Sequence, residues 1–346
     1  MILIRNVTST NPVEGLCQRL IEAARRPFEI AGTQAFVGVS VGAAISPRDG
    51  FDRIELMRRA DVALYHSKAA GRSKYGIYSS EMDLRTNERR DLERDLRKAL
   101  DSEGELQVYY QPLMSVGGNA ITGLEALIRW QHPVRGWIAP DRFIPLAEEC
   151  GLIEKLGERV LREACTAAAR WPIETIAVNA SPVELRSSSY AMRVTNILMA
   201  SGLNPRRLEL ELTEGAFLDT SGECKRNIDA LRAMGVRIAL DDFGTGFSSL
   251  GRLHEMEVDR IKIDRSFVQG FGNANGDEAI VQAIVDLARA KGLKTTAEGV
   301  ETTSQHALLE SIGCDELQGF LFYKPLSALD IEQLWGVNET QKDIAS

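Results

Sequence analysis

The sequence predicts an α/β protein whose main body is a (β/α)8, TIM-like barrel with one antiparallel strand, preceded by an incomplete α/β segment. Three observations predict it. Strand-like runs recur at 105–113, 121–130, 175–180, 207–213, 237–242, 258–263, 294–299 and 315–320. From the second run onward, helical stretches at 140–170, 182–201, 221–234, 277–291 and 303–312 separate most of them, and eight strands with helices in about 230 residues is the size of such a barrel. The first two runs are joined only by SVGGNAI, which suits a hairpin and not a helical crossover, so one strand should oppose the others.

Ahead of the barrel, residues 1–80 read as a smaller unit. MILIRNV is strand-like, and Pro12 to Arg26 reads as a helix with Leu16, Leu20 and Ala23 on one face. FVGVSVGAAI (36–45) is a glycine-interrupted strand. Ile54, Met57, Ala60, Ala63 and Leu64 recur at helical spacing between Asp52 and Ala70, with Gly71 as a C-cap. KYGIYS closes the unit as another strand. No metal or nucleophile constellation is visible here, and half a sheet should expose unpaired strand edges. Leu84, Leu92, Leu96 and Leu100 then give residues 81–104 a narrow apolar stripe among mixed charges, the pattern of a solvated connector helix. Residues 336–346 read as a tail after the barrel at 105–335.

Composition narrows the chemistry. The 346 residues are 44% hydrophobic and 26% charged, ordinary for a soluble globular protein. No apolar run reaches the length of a membrane span, and Arg5 and Asn6 interrupt the only N-terminal apolar stretch. A net charge of −8 argues against binding a nucleic-acid polymer. The five cysteines and four histidines are scattered, without C-x-x-C or H-x-x-x-H pairs. Neither zinc nor a disulfide framework is indicated, and a reducing cytoplasm is the expected location. A bound metal would have oxygen ligands and would therefore be a hard ion such as Mg²⁺ or Mn²⁺.

The stretch RIALDDFGTGFSSLGRLHEMEVDRIKID (237–264) carries the chemistry. Asp241 and Asp242 follow an apolar strand, and Lys262 sits between Ile261 and Ile263. Buried carboxylates are costly unless something positive binds them, although Asp before Gly also reads as a plain turn. Other strands add polar ends: Glu125 and Arg129 share one face of the second, Asn179 ends the third, and Glu209, Glu211 and Thr213 share one face of the fourth. Glu298 ends the seventh, and Gln318 stands beside Gly319 in the eighth. A barrel gathers these ends at one mouth. Glu125, Glu211, Asp241, Asp242 and Glu298 together would repel and raise each other's pKa values. Two divalent cations with Lys262 and Arg129 would leave the site about one unit positive, which suits a phosphodiester anion.

From about 88 to 335 the chain resembles the EAL-domain cyclic-di-GMP phosphodiesterases. The motifs are YYQPL, GLEALIRW, HPVRGWIAPDRFIPLAEECGLI, VNASP, LELELTE, ALDDFGTGFSSL, VDRIKID, TAEGVET and ELQGFLFYKP, in order. Through VSVGAAISPRDG and RRADVALYHSKAAGRSKYGIY, residues 1–80 resemble the C-terminal half of a GGDEF (diguanylate cyclase) domain. Met1 falls just after the signature hairpin of that family, so this half is expected not to be cyclase-competent. The EAL resemblance implies that Glu125, Asn179, Glu211 and Asp241 ligate metal, with Asp242 and Glu298 as further carboxylates of a two-ion Mg²⁺ or Mn²⁺ site. It implies catalytic roles for Lys262, Glu298, Glu125 and Asp242, with Lys262 orienting the attacking water. Substrate contacts would come from Gln111, Arg129, Asp242, Gln318 and Pro325. Glu214 would anchor the loop from Phe243 to Leu250 that positions Asp242. Glu184 departs from the pattern, standing where many members have glutamine.

The resemblance thus implies metal-dependent hydrolysis of cyclic di-GMP to linear pGpG in bacterial second-messenger signalling, by a homodimer formed through the barrel. Two other readings stay open: a receptor that binds cyclic di-GMP without cutting it, and an interaction scaffold docking through residues 1–100. A barrel of this charge pattern acting on another substrate also fits, since fold does not fix function.

Overall fold

A computed structural model describes residues 1–5, 9–30, 33–69, 71, 73–217, 222–244, 257–272 and 276–335. The chain divides into two compact units, Met1–Asp95 and Leu96–Ser346.

The first unit packs two helices on short strands. Val13, Cys17 and Ile21, one helical turn apart, are the buried face of the helix Asn11–Arg25. Strands β1 (Phe28–Ile30) and β2 (Thr33–Ala35) form an antiparallel hairpin that the sequence did not suggest. Strands β3 (Val41–Ala43) and β4 (Tyr75–Ile77) pair in parallel. Gly42 lets β3 touch the helix Arg53–Ala69, since a Cβ there would lie 2.1 Å from the Ala60 carbonyl oxygen. Only the core of the run 36–45 is a strand, and residues 1–5 of the MILIRNV run have no strand hydrogen bonds. A strand exists through its neighbour's ladder, and without one the apolar pattern leaves Ile2, Leu3, Phe36 and Val37 exposed. The helix Ser80–Asp101 leads out of this unit.

The second unit is a closed barrel. Its strands are β5 (Leu106–Ser115), β6 (Ile121–His132), β8 (Thr175–Asn179), β9 (Leu208–Thr213), β10 (Arg237–Phe243), β11 (Arg260–Ile263), β12 (Lys294–Ala297) and β13 (Glu316–Leu317). They hydrogen-bond in the order β5-β13-β12-β11-β10-β9-β8-β6, and β6 returns to β5. A short strand β7 (Gly136–Ile138) extends β6 outside the ring. Strand β5 is antiparallel to both neighbours and the rest of the ring is parallel, so the expected single reversed strand is the first. Leu208, Leu210 and Leu212 are fully buried on one face of β9, while Glu209 and Glu211 take the other. The expected helix 140–170 is two helices, Pro140–Glu149 and Ile153–Ala168, broken where Gly151 takes φ 71°. The tail at 336–346 lies outside the described residues.

Strand β10 carries a bulge. Leu240 pairs with Ile261 and Phe243 with Ile263, so Asp241 and Asp242 together oppose Lys262. The extra residue, Asp242, takes φ 54°, a left-handed conformation costly outside glycine and most tolerable in Asp and Asn.

Candidate active site

Lys262 is the centre of the site. It points into the barrel from β11 and is 1% exposed. Its Nζ lies 2.6 Å from Glu298 Oε1, 2.8 Å from Glu211 Oε1, 3.4 Å from Asp241 Oδ1 and 3.5 Å from Glu125 Oε2. Glu125 comes from β6, Glu211 from β9 and Asp241 from β10, while Glu298 follows directly on β12. Asn179, at the end of β8, donates from Nδ2 to Glu125 Oε1 at 2.8 Å. Gln318, just past β13, donates from Nε2 to Glu125 Oε2 at 2.7 Å. Its neighbour must be glycine, because a Cβ on Gly319 would sit 2.0 Å from the Val300 carbonyl oxygen.

The electrostatics follow from one ammonium among four carboxylates. Burial pushes the Lys262 pKa down, but Asp241, Glu125, Glu211 and Glu298 outweigh it and hold the amine well above its usual range. Burial pushes Glu125 up, yet Lys262 and the hydrogen bonds from Gln318 and Asn179 bring it below the ordinary carboxyl value. Glu211 moves the other way, raised well above that value by burial and by the charge of Glu125. Burial, with Asp241 and Glu125, raises Glu298 to about 7 despite Lys262. The cluster therefore keeps protons because one cation cannot balance it.

The other expected residues lie around this centre. Gln111 faces Glu125 across the β5–β6 ladder and donates from Nε2 to the Tyr323 carbonyl at 3.1 Å. Arg129, four residues along β6 from Glu125, is half-buried and donates from Nη1 to the Ile128 carbonyl at 2.9 Å. Burial lowers its pKa, and the charge of Glu125 raises it. Asp242 is exposed on the bulge, its pKa raised by partial burial and by Asp241 and Asp264. Pro325 precedes Leu326, whose backbone pairs with Tyr110 on β5. Glu214 opens the short helix Glu214–Phe217, but residues 245–250 of the loop it was expected to anchor lie outside the described residues.

Divalent ions fit the chemistry of these donors. Glu211 Oε2 and Gln318 Oε1 are buried without a hydrogen-bond partner, and Asp241 Oδ1 meets Lys262 Nζ only as an ion pair at 3.4 Å; such atoms are costly unless something satisfies them. Among the described residues no three His, Cys, Asp or Glu groups already close into a metal cage; the Lys262 ammonium stands among the carboxylates instead. The donors are all oxygens, which select a hard cation.

Sequence reasoning passed over a second buried cation. Arg260, 2% exposed, lies two residues before Lys262 on the same face of β11. Its Nε is 2.8 Å from Glu209 Oε1, off the hydrogen-bond axis. Its Nη1 donates to Glu316 Oε2 and, at 2.6 Å, to Thr296 Oγ1. The period-two spacing of Arg260 with Lys262 and of Glu209 with Glu211 was the available signal.

Comparison with known proteins identifies the family. Residues 93–325 match the EAL domain family, and residues 1–74 match the diguanylate cyclase GGDEF domain family. An uncharacterized signaling protein of Caulobacter vibrioides is 45% identical over 92% of the chain, which spans 39% of that protein. The bifunctional diguanylate cyclase/cyclic di-GMP phosphodiesterase MucR of Pseudomonas aeruginosa is 40% identical over 90% of the chain, which spans 46% of it. The chain thus spans less than half the length of these two curated relatives. A solved structure described as the PaMucR phosphodiesterase in complex with c-di-GMP superposes with a TM-score of 0.67 at 41% identity, over 70% of this chain and 99% of that one. Among the described residues no helix is long and apolar enough to cross a membrane. With a family match over residues 93–325, this chain belongs to the EAL domain family and carries a stretch of the GGDEF domain family ahead of its barrel.

Proposed function

We propose that the barrel is a cyclic-di-GMP phosphodiesterase that hydrolyses one phosphodiester bond to give linear pGpG. The observation that carries this reading is the acid excess around Lys262, four carboxylates within 3.5 Å of one amine. That arrangement calls for further positive charge and then for an anionic substrate. Glu125, Asn179, Glu211 and Asp241, with Asp242 and Glu298, would hold divalent Mg²⁺ or Mn²⁺. Bound there, such ions supply a water of lowered pKa and charge to stabilise the leaving oxygen.

The chain's own residues do the rest. Lys262 orients the attacking water from the floor of the site. Glu298, 2.6 Å from the Lys262 ammonium, is placed to take the proton of the attacking water. Arg129 has a planar fork for the phosphate, and the Ile128 carbonyl occupies only one of its N–H groups. Gln111, held by the Tyr323 carbonyl beside Glu125, and Pro325 border the substrate. MucR, whose name and whose solved structure's title both mention cyclic di-GMP, matches along this same barrel, which supports the choice of nucleotide.

A receptor that binds without cutting is the competing reading. Retention of every matched ligand position favours hydrolysis over it. The resemblance also implies a homodimer, which gel filtration of the purified chain tests. The deciding experiment incubates the protein with cyclic di-GMP and Mg²⁺ or Mn²⁺ and chromatographs the nucleotides. Release of pGpG that stops on chelation is expected; binding without product would make the protein a receptor.

A further inference from the structure

Four barrel strands each carry two inward-facing polar residues two positions apart. On β9 they are Glu209 and Glu211, and on β11 Arg260 and Lys262. Strand β12 gives Thr296 and, one residue past its end, Glu298; β13 gives Glu316 and, just past its end, Gln318. The first members of the other three pairs meet Arg260: Glu209 Oε1 at 2.8 Å, Thr296 Oγ1 at 2.6 Å, and Glu316 through both of its carboxylate oxygens. The second members meet in the Lys262 site, where Glu211 and Glu298 contact the amine and Gln318 holds Glu125. Two residues of strand are about 6.6 Å, so whatever fixes the lower layer fixes the upper one through a short stretch of backbone. In the ladders Lys262 is opposite Thr296 and Thr296 is opposite Glu316, so Arg260 reaches both from two residues earlier on β11.

We propose that Arg260 is a positioning residue for the reaction, its planar fork locking β9, β12 and β13 to β11 so that Glu211, Glu298 and Gln318 converge with Lys262. The proposal rests on the phosphodiesterase reading above. Geometry makes the guanidinium suitable where an ammonium is not, because it reaches three strands in fixed directions. A site so supported holds its polar groups to within a fraction of an ångström, and a displacement of about 1 Å can cost about 10²-fold in rate.

Two variants test it. R260K keeps the charge and removes the fork; E209L/R260M/E316L replaces the buried ions with apolar groups, a change that often leaves stability equal or higher. Both should keep the thermal midpoint of the parent while kcat falls about 10- to 100-fold with KM for cyclic di-GMP unchanged. Calorimetric titration with Mn²⁺ alone should show affinity about 10-fold weaker in each, a range seen when groups supporting metal ligands are lost. A purely structural ion pair would lower the midpoint and leave kcat and Mn²⁺ affinity of the folded protein at parental values, and that result overturns the proposal. Should the triple variant fail to fold, R260K decides by the same two readouts. Should the parent release no pGpG, the phosphodiesterase reading fails, and the Mn²⁺ titrations of parent and R260K still accept or reject the positioning role.

Discussion

Arg260 and Lys262 are both cations buried at 2% exposure or less on the same strand, and they live in opposite electrostatic worlds. Around Arg260 the charge nearly closes: Glu209 and Glu316 face its guanidinium, and the half-exposed Lys294 stands 3.7 Å from Glu316 Oε1. Burial lowers the Arg260 pKa, but Glu209 and Glu316 more than reverse it. Around Lys262 four carboxylates crowd a single amine, and their pKa values split, with Glu125 lowered and Glu211 raised. A layer whose charges nearly cancel holds itself together, whereas an acid-rich layer is prepared for something that is not protein. Burial alone does not separate the two, and the charge count does.

The largest effect should fall on the acid-rich layer. Glu125→Ala removes the carboxylate that Asn179, Gln318 and Lys262 all address. Turnover of cyclic di-GMP should drop about 10³-fold or more, followed as pGpG release; undiminished hydrolysis would erase the functional difference between the layers. Truncating the cation of the balanced layer should cost stability in addition to the rate loss argued above. Arg260→Ala leaves Glu209 and Glu316 buried without their partner, at a cost of about 3–5 kcal/mol in urea unfolding.

Glu184 calibrates the comparison, because it is a carboxyl buried outside both layers. It is 4% exposed, accepts a hydrogen bond from the Ser181 amide, and packs on Gly157. Burial raises its pKa to about 7, against weaker lowering by the Ser181 hydrogen bond and Arg193. Unfolded, it loses its proton near 4.5, so between these values the folded state binds more protons and stability falls as pH rises. Glu184→Gln should therefore be neutral at pH 4 and stabilising by about 3 kcal/mol at pH 8, read from urea unfolding at the two pH values. Smaller still is the response to ions. Mg²⁺ or Mn²⁺ at about 100 times its Kd should add about 2.7 kcal/mol to the parent. Asp241→Ala should lose that gain, and a gain retained in it would place the ions elsewhere.

Much of this was legible in the chain. Alternation put Glu211 on the face of β9 opposite its leucines, and the short connection SVGGNAI predicted one reversed strand, which is β5. The Arg260 layer was visible only as spacing, because a period does not reveal which residues on other strands will be opposite. The bulge at Asp242 depends on the ladder with β11, which no local pattern encodes. Residues 1–5 of the strand-like MILIRNV run differ from the expectation for a related reason: pairing is a property of two segments, and these residues have no ladder, while residues 6 and 7 lie outside the described residues.

The β10 bulge also bears on how such a mouth changes over generations. Phe243 regains its place opposite Ile263 immediately after the extra residue. Deleting one aspartate would hand the other a regular seat across from Lys262 and leave the leucine and phenylalanine on either side in their old slots. The second acid is therefore an insert that the ladder can gain or lose without rearranging the wall, so the acidity of this mouth can be edited one codon at a time.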